Sequence, residues 1–177
     1  MYKENLTLNN GVKIPQLGLG TWFIEDAYKE GKLKAIGVSN FQIGDIESIL
    51  ETCEIKPMVN QILLHISNTP IELVEYCQKN DIAVEAYSPI AHGEILNQSE
   101  IAATAEKYGV SVPQLCITYT LQLGAISLPK TANPEHMKTN GDVDFETSPE
   151  DMEILKNFKH IESYGDSGAF PVYGGKL

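Results

Sequence analysis

The sequence predicts an α/β fold in which parallel strands alternate with helices. Short apolar runs begin near residues 35, 58, 82 and 125, and helical patterns separate them throughout. Strand, helix, strand order within one sheet requires right-handed crossovers and hence parallel pairing. The chain can also fill such a fold: 177 residues, 42% of them hydrophobic, with a mean hydropathy of -0.16, bury a sizeable core.

The elements follow in order. NLTLNNGVKIPQLGLG alternates apolar and polar residues about Asn10-Gly11, a pair that supplies the positive φ angles of a tight turn, so a small hairpin opens the chain. LGLGTW reads as the mouth end of a buried strand. EDAYKEGKL is a charged helical end stopped by Gly31, KAIGVSNF a short strand, and IGDIESILETCEI a helix with Ile43, Ile46, Ile49 and Leu50 on one face. PMVNQILLHI reads as strand, TPIELVEYCQKND as a helix with Pro70 at its first position, and IAVEAYSPI as strand. SEIAATAEKYG and VPQLCITYTLQLG are helices, AISLPK a strand and NPEHMKTN a helix. SPEDMEILKNF closes the series, with Ser148 as N-cap and Asp151 three positions on. No linker or low-complexity stretch divides the chain, and a single domain over 1–177 is expected.

A formal net charge of -11 with only 13 Lys and Arg opposes binding to nucleic acid or to anionic membranes, since phosphate neutralisation needs clustered cations. Cys53, Cys77 and Cys116 are odd in number, lack close pairs and sit in apolar patterns. Buried reduced thiols are therefore expected rather than disulfides or a metal site, which favours the cytoplasm. His65, His92 and His160 show no metal-ligand spacing and are as readily structural as functional. MYKENLTLNN has no apolar stretch behind a basic cluster, and no run approaches the roughly 18 residues of a membrane span, so neither export nor membrane insertion is expected.

Five co-linear stretches, GTW, GVSNF, VNQILLH, AYSPI and LPKTANPEHMKTN, closely resemble an aldo-keto reductase over essentially the whole chain. The resemblance implies the (β/α)8 TIM barrel of that family, NADP(H) as cofactor and small-molecule aldehydes or ketones as substrates. Such a barrel builds its site from the loops after its strands, so each strand end contributes a few residues. By resemblance, Ser39, Asn40 and Gln61 bind the nicotinamide carboxamide and Tyr87 stacks on the ring. Ser88, Pro89 and Ile90 begin the pyrophosphate loop. Lys130 and Thr131 meet the 2′-phosphate, His136 and Asn140 lie near the adenine, and Thr21 and Trp22 line the nicotinamide end.

Taken singly, these residues read more plainly. Tyr87 alone is a strand aromatic, Trp22 plain core, and Lys130 a solvated lysine, although the helix that follows favours phosphate. His136 replaces the arginine common in the family and Thr139 the glutamate or glutamine, so selection of NADPH over NADH rests on an imidazole that lacks a bidentate fork. Glu85, inside an apolar strand, requires a partner that the sequence does not name.

One part of the resemblance is missing. Reducing a carbonyl creates an alkoxide, which needs a proton donor and positive charge beside it. The family supplies these from an IDTA…Y motif after the second strand, TK after the third and H-x-P after the fourth, and none occurs here. No catalytic residue is therefore assigned. Tyr87 is a weak substitute, because a phenol titrates near pH ~10.

The chain passes from the first strand to the helix before the fifth, with the junction between Ile24 and Glu25. It thus forms an incomplete barrel of the N-terminal hairpin, the first strand and the fifth to eighth βα units. Three further units of about 30 residues each would restore the roughly 250 residues of a whole barrel. Two readings stand: a working NADPH-dependent reductase of which this is a part, or an inactive remnant that at most binds NADP(H). An opened wall would expose strand edges and invite self-association.

Overall fold

The computed structural model describes residues 5–7, 13–15, 24–161, 163–165 and 167. The chain divides into two compact units, 1–36 and 37–177. In the first, β1 (Asn5–Thr7) pairs antiparallel with β2 (Lys13–Pro15), Thr7 opposite Lys13, as the expected hairpin requires. The turn residues Asn10 and Gly11 lie outside the described residues, as does the strand expected at LGLGTW. α1 (Ile24–Lys29) runs unbroken across the junction between Ile24 and Glu25. It stops before Gly31, whose φ of 71° is left-handed and suits a residue without Cβ.

The second unit contains β3 (Gly37–Ser39), α2 (Ile43–Thr52), β4 (Val59–Leu63), α3 (Ile71–Lys79) and β5 (Ala83–Tyr87). A 3-10 segment over Ala91–Asn97 leads to α4 (Ser99–Lys107) and α5 (Val112–Gln122). β6 (Ile126–Leu128), α6 (Pro134–Asn140) and α7 (Pro149–Lys156) complete it. The strands form one parallel sheet in the order β3-β4-β5-β6, so sequence neighbours are spatial neighbours, as in a barrel wall. Gly37 is needed at the first of them, because a Cβ there would stand 2.9 Å from the Val59 carbonyl oxygen.

Three details differ from the sequence reading. β4 stops at Leu63, because His65 and Asn68 exchange backbone hydrogen bonds and the Asn68 amide donates to the Leu63 carbonyl at 2.9 Å. Pro70 is the cap residue of α3 and not its first helical residue, with a non-helical ψ of 70°. The 3-10 segment has no counterpart in the predicted elements. His92 and Gly93 adopt positive φ within it and prevent an α-helix.

Side chains alternate across the sheet. Ile62, Val84 and Ala86 face helices and form a core with Ile46 of α2 and Leu73, Val74 and Cys77 of α3. The opposite face carries Ser39, Gln61, Glu85 and Tyr87, and ends at Ile126 and Leu128, which are 48% and 37% exposed. Among the described residues, α2 and α3 pack on the Ile62 face. A second core joins Ile101 and Ala105 of α4, Leu115, Cys116 and Tyr119 of α5, and Met152 and Leu155 of α7.

Polar ties stitch the helices to their surroundings. The Thr69 and Tyr119 hydroxyls lie 2.6 Å apart, and Asp151 accepts from Lys107 at 2.6 Å and from the Tyr108 hydroxyl. Those two donors hold the Asp151 carboxyl below its ordinary range. Ser148 caps α7 through Asp151 N, as the sequence predicts. All three cysteines are free: Cys77 and Cys116 are buried and Cys53 is half-buried. Burial pushes the Cys116 thiol up to about 12.

Leu115 is fully buried in the second core. Leu115→Ala is expected to cost about 2–5 kcal/mol in urea unfolding, the range for an unrelaxed core cavity.

Candidate functional site

β3 ends at Ser39, and Asn40 turns the chain with φ 58°, a conformation that asparagine tolerates better than most residues with side chains. Neighbouring groups hold that turn. Asn40 N donates to the Gln61 carbonyl at 2.9 Å, and Ser39 Oγ donates to the same oxygen at 3.1 Å. One residue on, the fully buried Asn60 amide donates to the Phe41 carbonyl at 2.9 Å and accepts from Phe41 N at 3.4 Å. Asn60 thus satisfies its own amide while fixing the exit of β3.

Strand register sets the next shell. Ser39, Gln61, Glu85 and Ile126 form one row across the sheet, and Leu63, Tyr87 and Leu128 form the row beyond it. Gln61 Nε2 donates to Glu85 Oε2 at 2.8 Å, and the Tyr87 hydroxyl donates to Asn40 Oδ1 at 2.9 Å. Ser39, Asn40, Gln61 and Tyr87 are therefore one hydrogen-bonded patch across three strands. Glu85 is half-buried and its partner is an amide, not a cation, which answers the question its position raises.

β5 leads directly into Ser88, with φ 52°, then buried Pro89 and half-buried Ile90. Ala91 and His92 are also left-handed, and strain of this kind gathers at functional turns. His92 lies between two hydroxyls, with Nε2 3.2 Å from Ser88 Oγ and Nδ1 3.1 Å from Ser167 Oγ.

Lys130 and Thr131 follow β6; Lys130 is exposed, while Thr131 Oγ1 accepts from Asn133 N at 3.1 Å. Asn133 in turn caps α6, which carries the exposed His136 and ends at Asn140. Thr21 and Trp22 lie outside the described residues.

The sequence leaves His65 open between a structural and a functional role. It is fully buried, with Nε2 2.9 Å from the Tyr164 hydroxyl and Nδ1 3.2 Å from Ser67 Oγ, and His160 Nδ1 donates to the Ser67 carbonyl at 2.9 Å. Burial, reinforced by the nearby His160 and His92, lowers its pKa from 6.5 to about 3. Tyr164 lies 99 residues away, so no local pattern signals the pair. Glu85 did carry a signal, a carboxylate in an otherwise apolar strand. Among the described residues, no three His, Cys, Asp or Glu side chains converge as metal ligands.

The aldo/keto reductase family model matches residues 20–103. The chain is 41% identical over 147 residues to glyoxal reductase of Bacillus subtilis, covering 82% of this chain and 53% of that protein. This chain is a partial member of the aldo/keto reductase family. An aldehyde reductase of Saccharomyces cerevisiae is 34% identical over 163 residues, 86% of this chain and 52% of its own length.

Among solved structures, an aldo-keto reductase from a Medee basin deep-sea metagenome library aligns with a TM-score of 0.73 at 37% identity, over 76% of this chain and 51% of that one. A Bombyx mori aldo-keto reductase in complex with NADP aligns with a TM-score of 0.73 at 31% identity, over 82% and 51%. The chain spans about half the length of the relatives it matches. Its parallel wall, four strands among the described residues, is an incomplete barrel of the family's α/β type.

Neutral His65 makes stability pH-dependent. Between pH 6.5 and about 3 the unfolded chain binds the proton that the folded chain refuses, so stability falls as pH falls through that window. The expected slope from this residue is up to about 1.4 kcal/mol per pH unit. Urea midpoints measured from pH 7 downward should decline, and His65→Gln should flatten the decline by about one proton.

Proposed function

We propose that this chain binds NADP(H) at the carboxyl ends of β3 to β6 and does not itself reduce carbonyl compounds. The observation that carries the reading is the single patch of Ser39, Asn40, Gln61 and Tyr87, in which amide, hydroxyl and aromatic groups from three adjacent strands meet. In this reading the patch takes the nicotinamide. The strained turn at Ser88, Pro89 and Ile90 takes the pyrophosphate, Lys130 and Thr131 the 2′-phosphate, and His136 and Asn140 the adenine. Thr21 and Trp22 complete the nicotinamide end.

The family activity, reduction of aldehydes or ketones to alcohols with NADPH, belongs in this reading to a chain that also carries the second to fourth βα units. Hydride transfer leaves an alkoxide that must be protonated beside positive charge. The motifs that do this in the family have no match in the sequence. Tyr87 does not replace them, since its phenol proton is already directed at Asn40. Three free thiols fit a cytoplasmic setting. The acidic balance fits neither nucleic acid nor anionic membrane as a partner. No helix among the described residues is long and apolar enough to cross a membrane.

Titration with NADPH, followed by quenching of cofactor fluorescence, is expected to saturate. Lys130→Ala should weaken NADPH about ten-fold, the scale of one hydrogen bond to a charged group, while leaving NADH nearly unchanged. NADPH should not be consumed when glyoxal is added. Turnover would overturn the inactive reading, and an absence of binding would overturn the cofactor reading.

Self-association is the second part of the proposal. It rests on β3 and β6 standing at the ends of the described sheet and on the exposed Ile126 and Leu128. Light scattering on an eluting column should give a mass above 19.5 kDa, and Leu128→Lys should return it toward that of one chain.

A further inference from the structure

A primary carboxamide offers one acceptor, its carbonyl, and one donor group, its NH2. A site that binds it by both must present a donor and an acceptor in matching order. Gln61 and Asn40 each carry both kinds of atom, so either amide could turn either way unless something else holds it. The Glu85 carboxylate removes that freedom for Gln61. A carboxylate accepts only, so the Gln61 atom 2.8 Å from Glu85 Oε2 is its NH2, and the geminal Oε1 is turned away from β5. The Tyr87 hydroxyl donates to Asn40 Oδ1, which leaves Asn40 Nδ2 on the other side of its amide. The two amides are neighbours, joined by the bond from Asn40 N to the Gln61 carbonyl.

We infer that Glu85 is a positioning residue that sets the direction of the Gln61 amide, so that Gln61 Oε1 accepts from the NH2 of the nicotinamide carboxamide while Asn40 Nδ2 donates to its carbonyl. The inference rests on the cofactor reading above. Glu85 touches no cofactor atom in this arrangement and acts through Gln61 alone. Its place in the register row between Gln61 and Ile126 gives it that reach. Half-burial limits the competition from water for the Gln61 amide.

The test compares NADP+ with 3-acetylpyridine adenine dinucleotide phosphate, in which a methyl group replaces the carboxamide NH2 and nothing else changes. The native chain should bind NADP+ roughly five- to ten-fold more tightly than the analogue, the scale of one neutral hydrogen bond left unmade. In Glu85→Ala, Gln61 is free to turn and only the cofactor orients it, so the ratio should fall by about two-fold. The affinity for 2′,5′-ADP, which lacks the nicotinamide, should stay at its native value. A merely structural role for Glu85 would weaken all three ligands together. Should Glu85→Ala fail to fold by circular dichroism, Glu85→Met, of similar length and unable to accept strongly, takes its place. An unchanged ratio in a folded variant overturns the role of Glu85 while the cofactor reading stands. Failure of the native chain to bind either dinucleotide or 2′,5′-ADP overturns both.

Discussion

The register of the parallel sheet is the constraint on which the rest depends. With Gly37 opposite Val59 and Val59 opposite Ala83, Ser39, Gln61 and Glu85 fall into one row. Since side-chain direction alternates, a slip of one residue would turn Gln61 and Glu85 into the helix-covered core and bring Ile62 and Ala86 outward. Hydrophobic packing of Ile62, Val84 and Ala86 against α2 and α3 therefore fixes the polar row on the far side. The same packing forces Gly37, because the strands approach too closely there for a Cβ.

From that row the site is built by hydrogen bonds whose directions are dictated by chemistry. The Gln61 carbonyl collects Asn40 N and Ser39 Oγ, while its side chain reaches Glu85. Asn60, on the opposite parity of the same strand, clamps Phe41 from beneath. One strand thus serves both sides of the turn after β3: its core-facing Asn60 holds the backbone, and Gln61 on the other face carries an amide of the candidate site. The left-handed conformations of Asn40 and Ser88 stand at equivalent places, just past the ends of β3 and β5. Each turns the chain out of the sheet at the level where the candidate site lies.

βα crossovers normally bury parallel strands on both sides or close them into a barrel, and among the described residues α2 and α3 pack on the Ile62 face of this sheet. Ile126 and Leu128 are exposed on the opposite face. In the whole barrels to which the chain is similar, an inward face of this kind is filled by layers of side chains from all the strands. Here four strands are described in the wall, and the chain spans about half the length of its relatives. That arithmetic, rather than any decay of the cofactor motifs, separates binding from chemistry in the proposed function.

Much was legible in the sequence because it was local. The four strands and the cap of Ser148 on α7 came from apolar runs and short-range capping rules, and all appear as expected. The family was legible because five motifs occur in order, and the comparisons bear it out. The early stop of β4, the 3-10 segment and the burial of His65 were not, since each depends on bonds to residues elsewhere, in one case 99 positions away. Sequence alone determined the fold class, the family and which residue types stand at the strand ends, because periodicity and motif spacing are properties of neighbours along the chain. Only the tertiary structure decided that Glu85 meets Gln61 and Tyr87 meets Asn40, across 24 and 47 residues, because the direction of a side-chain hydrogen bond is set by register between strands.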